Sequence, residues 1–509
     1  MTSDSSILYQ NDYATVFLID IPTSITLAQE LSPQSHPDVP SDAPTSPSSS
    51  ISREPHKRKR RHILSSPALK TPYPASFEPK SKAARAKVLA RIPQFETHEE
   101  IAPLVSEALD EIRKNYSQEA EWYLPRHLLE EEEKDDDDDN DGLVIKDSEP
   151  KKGLSAWAYG IRRGKREIGK KRRADETVVQ KNDHDEEDDK FNPEYFALAA
   201  DDQIQPPLVL SPGRNRVEDE AELCNNVVKN TSLEAAFIEI RSIFSVKALE
   251  GFSVDTERQR RARVFIIPPL SKFIICDLPI SAPLAGVEYM NPIPRLDLEN
   301  KFNLIVLDPP WSNKSVRRSG HYQTQTYLDS EMLTTYICSI LTIHSYLPLQ
   351  NEVQSSEDQS NLSIAAIWIT NSVKARDAAY DSLKGAGFSI CEEWIWVKTA
   401  VDGQPVTPVD GVWRKPYEIL VVGKRNPGSK DGAGDGGILR RVIAAVPDVH
   451  SRKPNFKEVF ERVFFKSQSG AAGVRYSALE VFARNLTAGW WACGNEVLKF
   501  NSESWWIGD

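Results

Sequence analysis

"LIVLDPPWSNK", residues 304–314, is the stretch on which the fold turns. An apolar run, Leu304 to Leu307, climbs to a lone carboxylate, Asp308, and Pro309, Pro310 and Trp311 follow at once. Consecutive prolines cannot donate backbone hydrogen bonds, so they end a helix and cannot sit inside a central strand. The stretch therefore reads as a buried strand that stops in a stiff loop, with an acid at the hinge. In an open α/β sheet, ligands bind beyond the carboxyl ends of the strands, so the position of Asp308 alone marks a candidate site. A strand-end Asp-Pro-Pro can also be a plain turn, and the rest of the chain decides between the two.

Around this stretch, strand-like runs recur from about residue 255: "KFIICDL" (272–278), "SIAAIWIT" (363–370), "EEWIWVK" (392–398), "YEILVVGK" (417–424) and "ILRRVIAAV" (438–446). Helical stretches such as "RDAAYDSLKGAG" (376–387) and "PNFKEVFERVFF" (454–465) separate several of them. Near-continuous apolar strands alternating with helices predict an α/β sheet covered on both faces. Trp394 and Trp396 are read as core. Segments 350–361 and 426–437 are read as surface insertions; the second is rich in glycine, but no strand-to-helix switch frames a phosphate cradle there.

Upstream, residues 7–20 are rich in β-branched and aromatic side chains, which suits one or two strands. Residues 26–83 form a Ser/Pro-rich span expected to be disordered, because it cannot bury enough apolar area to offset its ordering entropy. Inside it, "REPHKRKRRH" (53–62) reads as a nuclear import signal or an electrostatic nucleic-acid tether. "EEIAPLVSEALDEIRKNY" (99–116) and "LEAAFIEIRSIFSVKAL" (233–249) are both read as amphipathic helices. In "KKGLSAWAYGIRRGKREIGKKRR" (151–173) aromatics interleave with cations, which suits a phosphate backbone with occasional stacking, or simply an exposed helix. The expected organisation is a strand segment over 1–25, the disordered span 26–83, a helical or mixed middle region 84–254 and a catalytic domain 255–509.

The 509 residues carry a formal net charge of −12. Much of the acidic excess lies in two like-charge runs, 130–141 and 183–189, so a nucleic-acid partner stays open. The five cysteines form no CxxC pair and no ligand-spaced group with histidine, so no metal is expected. An odd cysteine count, no signal-peptide pattern and no apolar run of about 18–20 residues predict a soluble intracellular protein in a reducing compartment, with no membrane contact.

The Asp308-Pro309-Pro310-Trp311 tetrad resembles the signature of amino-directed nucleic-acid methyltransferases, and its surroundings resemble the family of the seventy-kilodalton mRNA adenosine N6-methyltransferase subunit. Further stretches match in order: "IICDL" (274–278), "WIWVK" (394–398), "RKPYEILVVGK" (414–424), "HSRKP" (450–454) and "LEVFARNLTAGWWACGNEVLKF" (479–500). The resemblance is strong over 255–509 and weak at the N-terminus. It implies a Rossmann-like class I S-adenosylmethionine-dependent methyltransferase domain with circularly rearranged motif order, the cofactor strand coming late. "FARN" stands where that fold commonly has a Phe-x-Gly, so side chains must do more of the cofactor binding.

The chemistry suits the residues. An exocyclic amine is a poor nucleophile because its lone pair is delocalised into the ring. Asp308 and the carbonyl between the two prolines could accept its two N–H bonds from fixed positions, the preorganisation that electrostatic catalysis needs. Trp311 offers a flat face for a base. By resemblance, Asp277 and Leu278 meet the cofactor's adenine, Lys453 pairs with its methionine carboxylate, and Arg484, Asn485, Asn495 and Glu496 hold the ribose and adenine edges. Lys453 precedes Pro454 and could instead be a cation at a helix start, where the dipole disfavours it. Lys314, Arg317, Arg318 and His321 would reach substrate phosphates, or form a solvated loop. Glu418, Arg414 and Lys415 receive no firm role. The expected reaction is N6-adenine methylation of nucleic acid, RNA before DNA, at an internal adenosine or 2′-O-methyladenosine of a small nuclear RNA. A single-chain catalyst in the nucleus, with some cytoplasmic presence and import through 53–62, is the matching expectation. A non-catalytic RNA-binding scaffold and an enzyme acting on another amine are the rival readings; Asp308 and Trp311 favour adenine over the latter.

Overall fold

The computed structural model describes residues 4–32, 60–74, 78–79, 81–89, 95–117, 120–129, 206–218, 220–240, 263–278, 291–311, 330–347, 362–412, 414–425, 437–466 and 474–508. One compact unit comprises residues 1–133 and 207–509, and a second spans 134–206. The basic stretch 151–173 and the acidic runs, but for their edges, fall in the second unit, outside the described residues.

In the first unit a single sheet holds twelve strands. In chain order these are β1 (Ile7–Gln10), β2 (Val16–Ile19), β3 (Leu208–Leu210), β4 (Val227–Asn230), β5 (Lys272–Ile275) and β6 (Leu304–Leu307). Then come β7 (Ser363–Ile369), β8 (Ser389–Lys398), β9 (Tyr417–Arg425), β10 (Leu439–Ala445), β11 (Ala478–Val481) and β12 (Trp491–Gly494). Their spatial order is β1-β2-β10-β8-β9-β7-β6-β11-β12-β5-β4-β3. The run β7-β6-β11-β12-β5 is parallel throughout. β9 lies antiparallel to both β7 and β8. The arrangement is Rossmann-like, with the late strand β11 inserted beside β6 in register Val306 to Glu480.

β6 explains its own sequence. All four residues are buried, and alternation sends them to opposite faces. Ile305 and Leu307 pack with Ile101 and Val105 of α2 (Phe95–Asn115), Tyr336 and Ile340 of α3 (Ser330–His344) and Ala379 of α4 (Val373–Gly385). Leu304 and Val306 pack with Ile21 and Ile25 of α1 (Ile21–Ala28) and Phe460 of α5 (Lys457–Phe464). A strand covered on both faces has no position for a solvent-facing polar residue, so its first acid marks its end. Trp394 and Trp396 are buried, as read from the sequence. Helix α1 starts where Asp20 accepts from Thr23 N at 3.0 Å and Pro22 needs no donor.

Three expectations need correction. The boundaries at 25 and 254 do not separate bodies: β2 hydrogen-bonds to β10, and β4 to β5, so both ends of the sheet are built from the N-terminal half. Second, the span expected to be disordered contains a strand, Arg61–Ser65, paired with Trp506–Gly508; its apolar Ile63 is fully covered. The tail of the basic run, Arg61 and His62, is part of that strand, whereas 53–59 lie outside the described residues. Third, residues 236–240 are not helical but the middle strand of a small sheet with Gly213–Val217 and Arg263–Ile267. Ala236, Ile238 and Ile240 alternate inward, and that period of two prevails over the helical reading; 241–249 lie outside the described residues. The helix read over 99–116 is present as α2.

Candidate active site

Asp308 follows β6 directly, and its backbone N–H donates to Val481 O at the end of β11, 3.2 Å away. Strand ends of β5, β6, β11 and β12 thus meet along one edge. After β6 the chain turns tightly: Trp311 N donates to Pro309 O at 2.8 Å. The indole N–H of Trp311 donates to Trp368 O at 2.6 Å, and the ring packs partly buried against the α2–α4 core. The aromatic expected as a stacking face is therefore anchored at its edge to β7. Pro309 is buried and Pro310 exposed.

Around Asp308 the structure gathers a chain of alternating charges. Lys453 Nζ lies 3.4 Å from Asp308 Oδ1 and 2.9 Å from Glu418 Oε2. Glu418 is also 2.5 Å from Lys398 Nζ. On the other side, Arg484 Nη1 is 3.8 Å from Asp308 Oδ2, and Arg484 Nε is 3.2 Å from Glu496 Oε2. Lys499 closes the row at 2.9 Å from Glu496. Burial alone would raise the Glu418 carboxyl, but Lys453 and Lys398 hold it at about 2. Burial works against the Lys453 ammonium, yet Asp308 and Glu418 together raise it above its ordinary value. Glu418 thus gains a place that the sequence did not assign.

Lys453 is not a helix-start cation. Helix α5 begins only at Lys457, and residues 452–456 have no regular secondary structure, so the dipole argument does not apply to it. The loop is held from below by Arg452, which is 3% exposed. Its Nη1 donates to Leu64 O at 2.8 Å and to Asp448 at 2.7 Å. Its guanidinium lies over Phe500 and Trp505, 4.5 and 4.7 Å from their centroids.

The remaining expected cofactor residues fall at the neighbouring strand ends. Asp277, exposed, and Leu278, buried, follow β5, whose Ile275 is in register with Gly494 of β12. Asn495 and Glu496 follow that glycine. Gly494 has φ +146°, and a Cβ there would stand 3.2 Å from Phe482 Cα, so the two turns approach too closely for a side chain. Arg484 and Asn485 follow β11. The Asn485 amide nitrogen is buried with no hydrogen-bond partner among the described residues. Lys314, Arg317, Arg318 and His321 lie outside the described residues.

One residue was missed. Glu480, inside the apolar "ALEVF" run, is level with Val306 and points to the same face as Val306 and Asp308. A cavity of about 50 Å³ is lined by Val306, Asp308, Lys453, Glu480, Arg484 and Asn485. Burial, with Asp308 adding, pushes the Glu480 carboxyl up to about 8, against the pull of Arg484. The signal was legible: a lone acid within a buried strand has to be neutralised or used.

Two cations beside an acid, a glycine-only turn and an unsatisfied amide make a donor set suited to an amino-acid zwitterion joined to a nucleoside. Among the described residues no group of three or more His, Cys, Asp or Glu could hold a metal, and no helix is long and apolar enough to cross a membrane.

Residues 302–496 match the MT-A70 family model. The chain is 37% identical over 214 residues to an "N6-methyladenosine RNA methyltransferase" of Cryphonectria parasitica, covering 40% of this chain and 54% of that one. It is 30% identical over 262 residues to the "N(6)-adenine-specific methyltransferase METTL4" of Mus musculus, covering 48% of this chain and 45% of that one. A "DNA N6-methyl methyltransferase" of Caenorhabditis elegans is 27% identical over 243 residues, covering 47% and 54%. The chain spans about half the length of the curated relatives it matches.

Proposed function

We propose that this chain, whose residues 302–496 match the MT-A70 family model, methylates the N6 amine of adenine in nucleic acid, with S-adenosylmethionine as methyl donor. The observation that carries this reading is Asp308, fixed at a parallel strand end between Lys453 and Arg484. Asp308 accepts one N–H of the amine. The Pro309 carbonyl accepts the other with its second lone pair, the first being taken by Trp311 N. Both acceptors are held by backbone constraints, so the amine lone pair is aimed before reaction. The bound cofactor supplies an electrophilic methyl on a sulfonium. Lys453 would pair with its carboxylate, Asp277 and the Leu278 backbone would meet its adenine, and Arg484, Asn485, Asn495 and Glu496 would hold the ribose and adenine edges, which would give the Asn485 amide its missing acceptor.

RNA is the preferred substrate class, since the RNA-named relative matches at higher identity than the DNA-named one. An internal adenosine or 2′-O-methyladenosine of a small nuclear RNA is the narrower reading. A nuclear site of action, with some cytoplasmic presence, rests on the basic run 53–62. The test is to incubate the full chain with S-adenosylmethionine and matched adenine-containing RNA and DNA oligonucleotides, then digest and weigh the nucleosides. N6-methyladenosine from RNA, absent with Asp308→Ala, is the expected result. Methylation of DNA alone would overturn the RNA preference, and of neither the function.

A further inference from the structure

Glu480 stands apart from the charge row around it. Its carboxyl has no hydrogen bond or ion pair among the described residues, although it shares the Asp308 cavity. The groups that face it are few: Asp308 at the end of β6, Arg484 after β11 and Lys453 in the loop before α5; the Cys493 thiol, level with Val481, lies on the opposite face of the sheet. Glu418 and Lys398 are occupied with one another and with Lys453. The α5 side of the cavity is apolar, lined by Phe456 and Phe460. The Asn485 amide and the Trp490 indole N–H line the same cavity without partners among the described residues. A cavity of about 50 Å³ with these polar groups on its wall has room for water, which needs about 10–15 Å³ and two or more polar partners.

We propose that Glu480 is the proton acceptor of this site, ionised while a sulfonium shares the cavity with Asp308 and taking the proton that the amine loses when that positive charge is spent. The inference rests on the methyl-transfer reading above. The balance closes as follows. The amine nitrogen gains a bond to the methyl carbon and loses one N–H. The sulfur–methyl bond breaks with its electron pair left on sulfur, which becomes neutral. The proton passes through the cavity to the Glu480 carboxylate, so the net charge of the site is the same before and after. With no sulfonium in the cavity, and Lys453 and Arg484 already beside Asp308, the carboxyl sits at about 8 and holds its proton at neutral pH.

Binding of a sulfonium must then expel that proton, and this can be read without turnover. Calorimetric titration of the full chain in buffers of different ionisation heat counts the protons released. At pH 7, S-adenosylmethionine should release roughly 0.9 proton, the protonated fraction of a group at about 8. S-adenosylhomocysteine, which lacks the sulfonium charge, should release far less. Glu480→Gln should bind S-adenosylmethionine with that release gone, and its affinity should no longer rise between pH 6 and about 8. Equal release by the two ligands in the unaltered chain, or equal release by the unaltered chain and Glu480→Gln, would overturn the proposal while leaving the methyl-transfer reading intact. Absence of S-adenosylmethionine binding would overturn both.

Discussion

The Lys453 ammonium lies 3.4 Å from the Asp308 carboxylate, bridging it to Glu418 at 2.9 Å. A cation so placed fixes the orientation of Asp308 from behind while leaving its backbone tied to β11. If Asp308 aims the amine, Asp308→Ala should lower single-turnover methyl transfer by more than a hundredfold, about 2.7 kcal/mol of transition-state stabilisation. A variant retaining over a tenth of the rate would rule the role out.

Lys453→Ala should fold, because Glu418 keeps Lys398 and Asp308 keeps Arg484. A charge-assisted contact to the cofactor carboxylate contributes about 1.5–3 kcal/mol, so affinity for S-adenosylmethionine should fall roughly 10- to 150-fold by calorimetry. Unchanged affinity would make Lys453 a support for Asp308 only.

The two pocket glutamates predict opposite responses to pH. Glu418 is held at about 2, below its ordinary 4.5, so it stabilises the fold above about pH 4.5, and this is lost as pH falls toward 2. Glu480 is raised to about 8, so its contribution is fully present below pH 4.5 and is lost as pH rises through 8. Thermal melts should show Glu418→Gln less stable than the parent at pH 6 with the gap closing toward pH 2. Glu480→Gln should gain on the parent between pH 4.5 and 8.

Gly494→Ala places a side chain at φ +146° and 3.2 Å from Phe482 Cα. Strain of this kind costs about 1–3 kcal/mol. Urea denaturation should show that loss, with weakened cofactor binding because the strained turn carries Asn495 and Glu496.

Arg452→Ala leaves Asp448 buried with Arg126, 4.0 Å away, as its only cation among the described residues. Removing one member of a buried pair costs about 3–5 kcal/mol. The melting temperature should drop sharply, and Arg452→Lys, which cannot span both aromatic faces, should recover only part of it.

Much of the site was legible because it is local in sequence. A strand end announces itself by a change from apolar to charged residues, and Asp308, Asp277, Arg484 and Asn495 all sit at such changes. Glu418 and Glu480 were harder, since an acid inside an apolar run acquires meaning only when the partner strand is known; register with Val306 is not written in either segment. The rival reading of Lys453 as a helix-start cation dissolves because α5 begins four residues later. The helix expected over 233–249 shows the same difficulty: a short apolar run satisfies two periodicities, and tertiary pairing chooses.

The pairing of β2 with β10 has a consequence for how the chain is made. Phe17 and Leu18 are fully buried, yet their partners Ile443 and Ala444 leave the ribosome more than four hundred residues later. At translation speeds of roughly 5–20 residues per second, that apolar strand waits on the order of tens of seconds with an unpaired edge. The nascent chain therefore carries a sticky segment at residues 16–19 while the more than four hundred residues up to β10 are made. A chaperone that shields residues 16–25 until β10 emerges has more to do here than in a domain whose strands all pair with their neighbours in sequence.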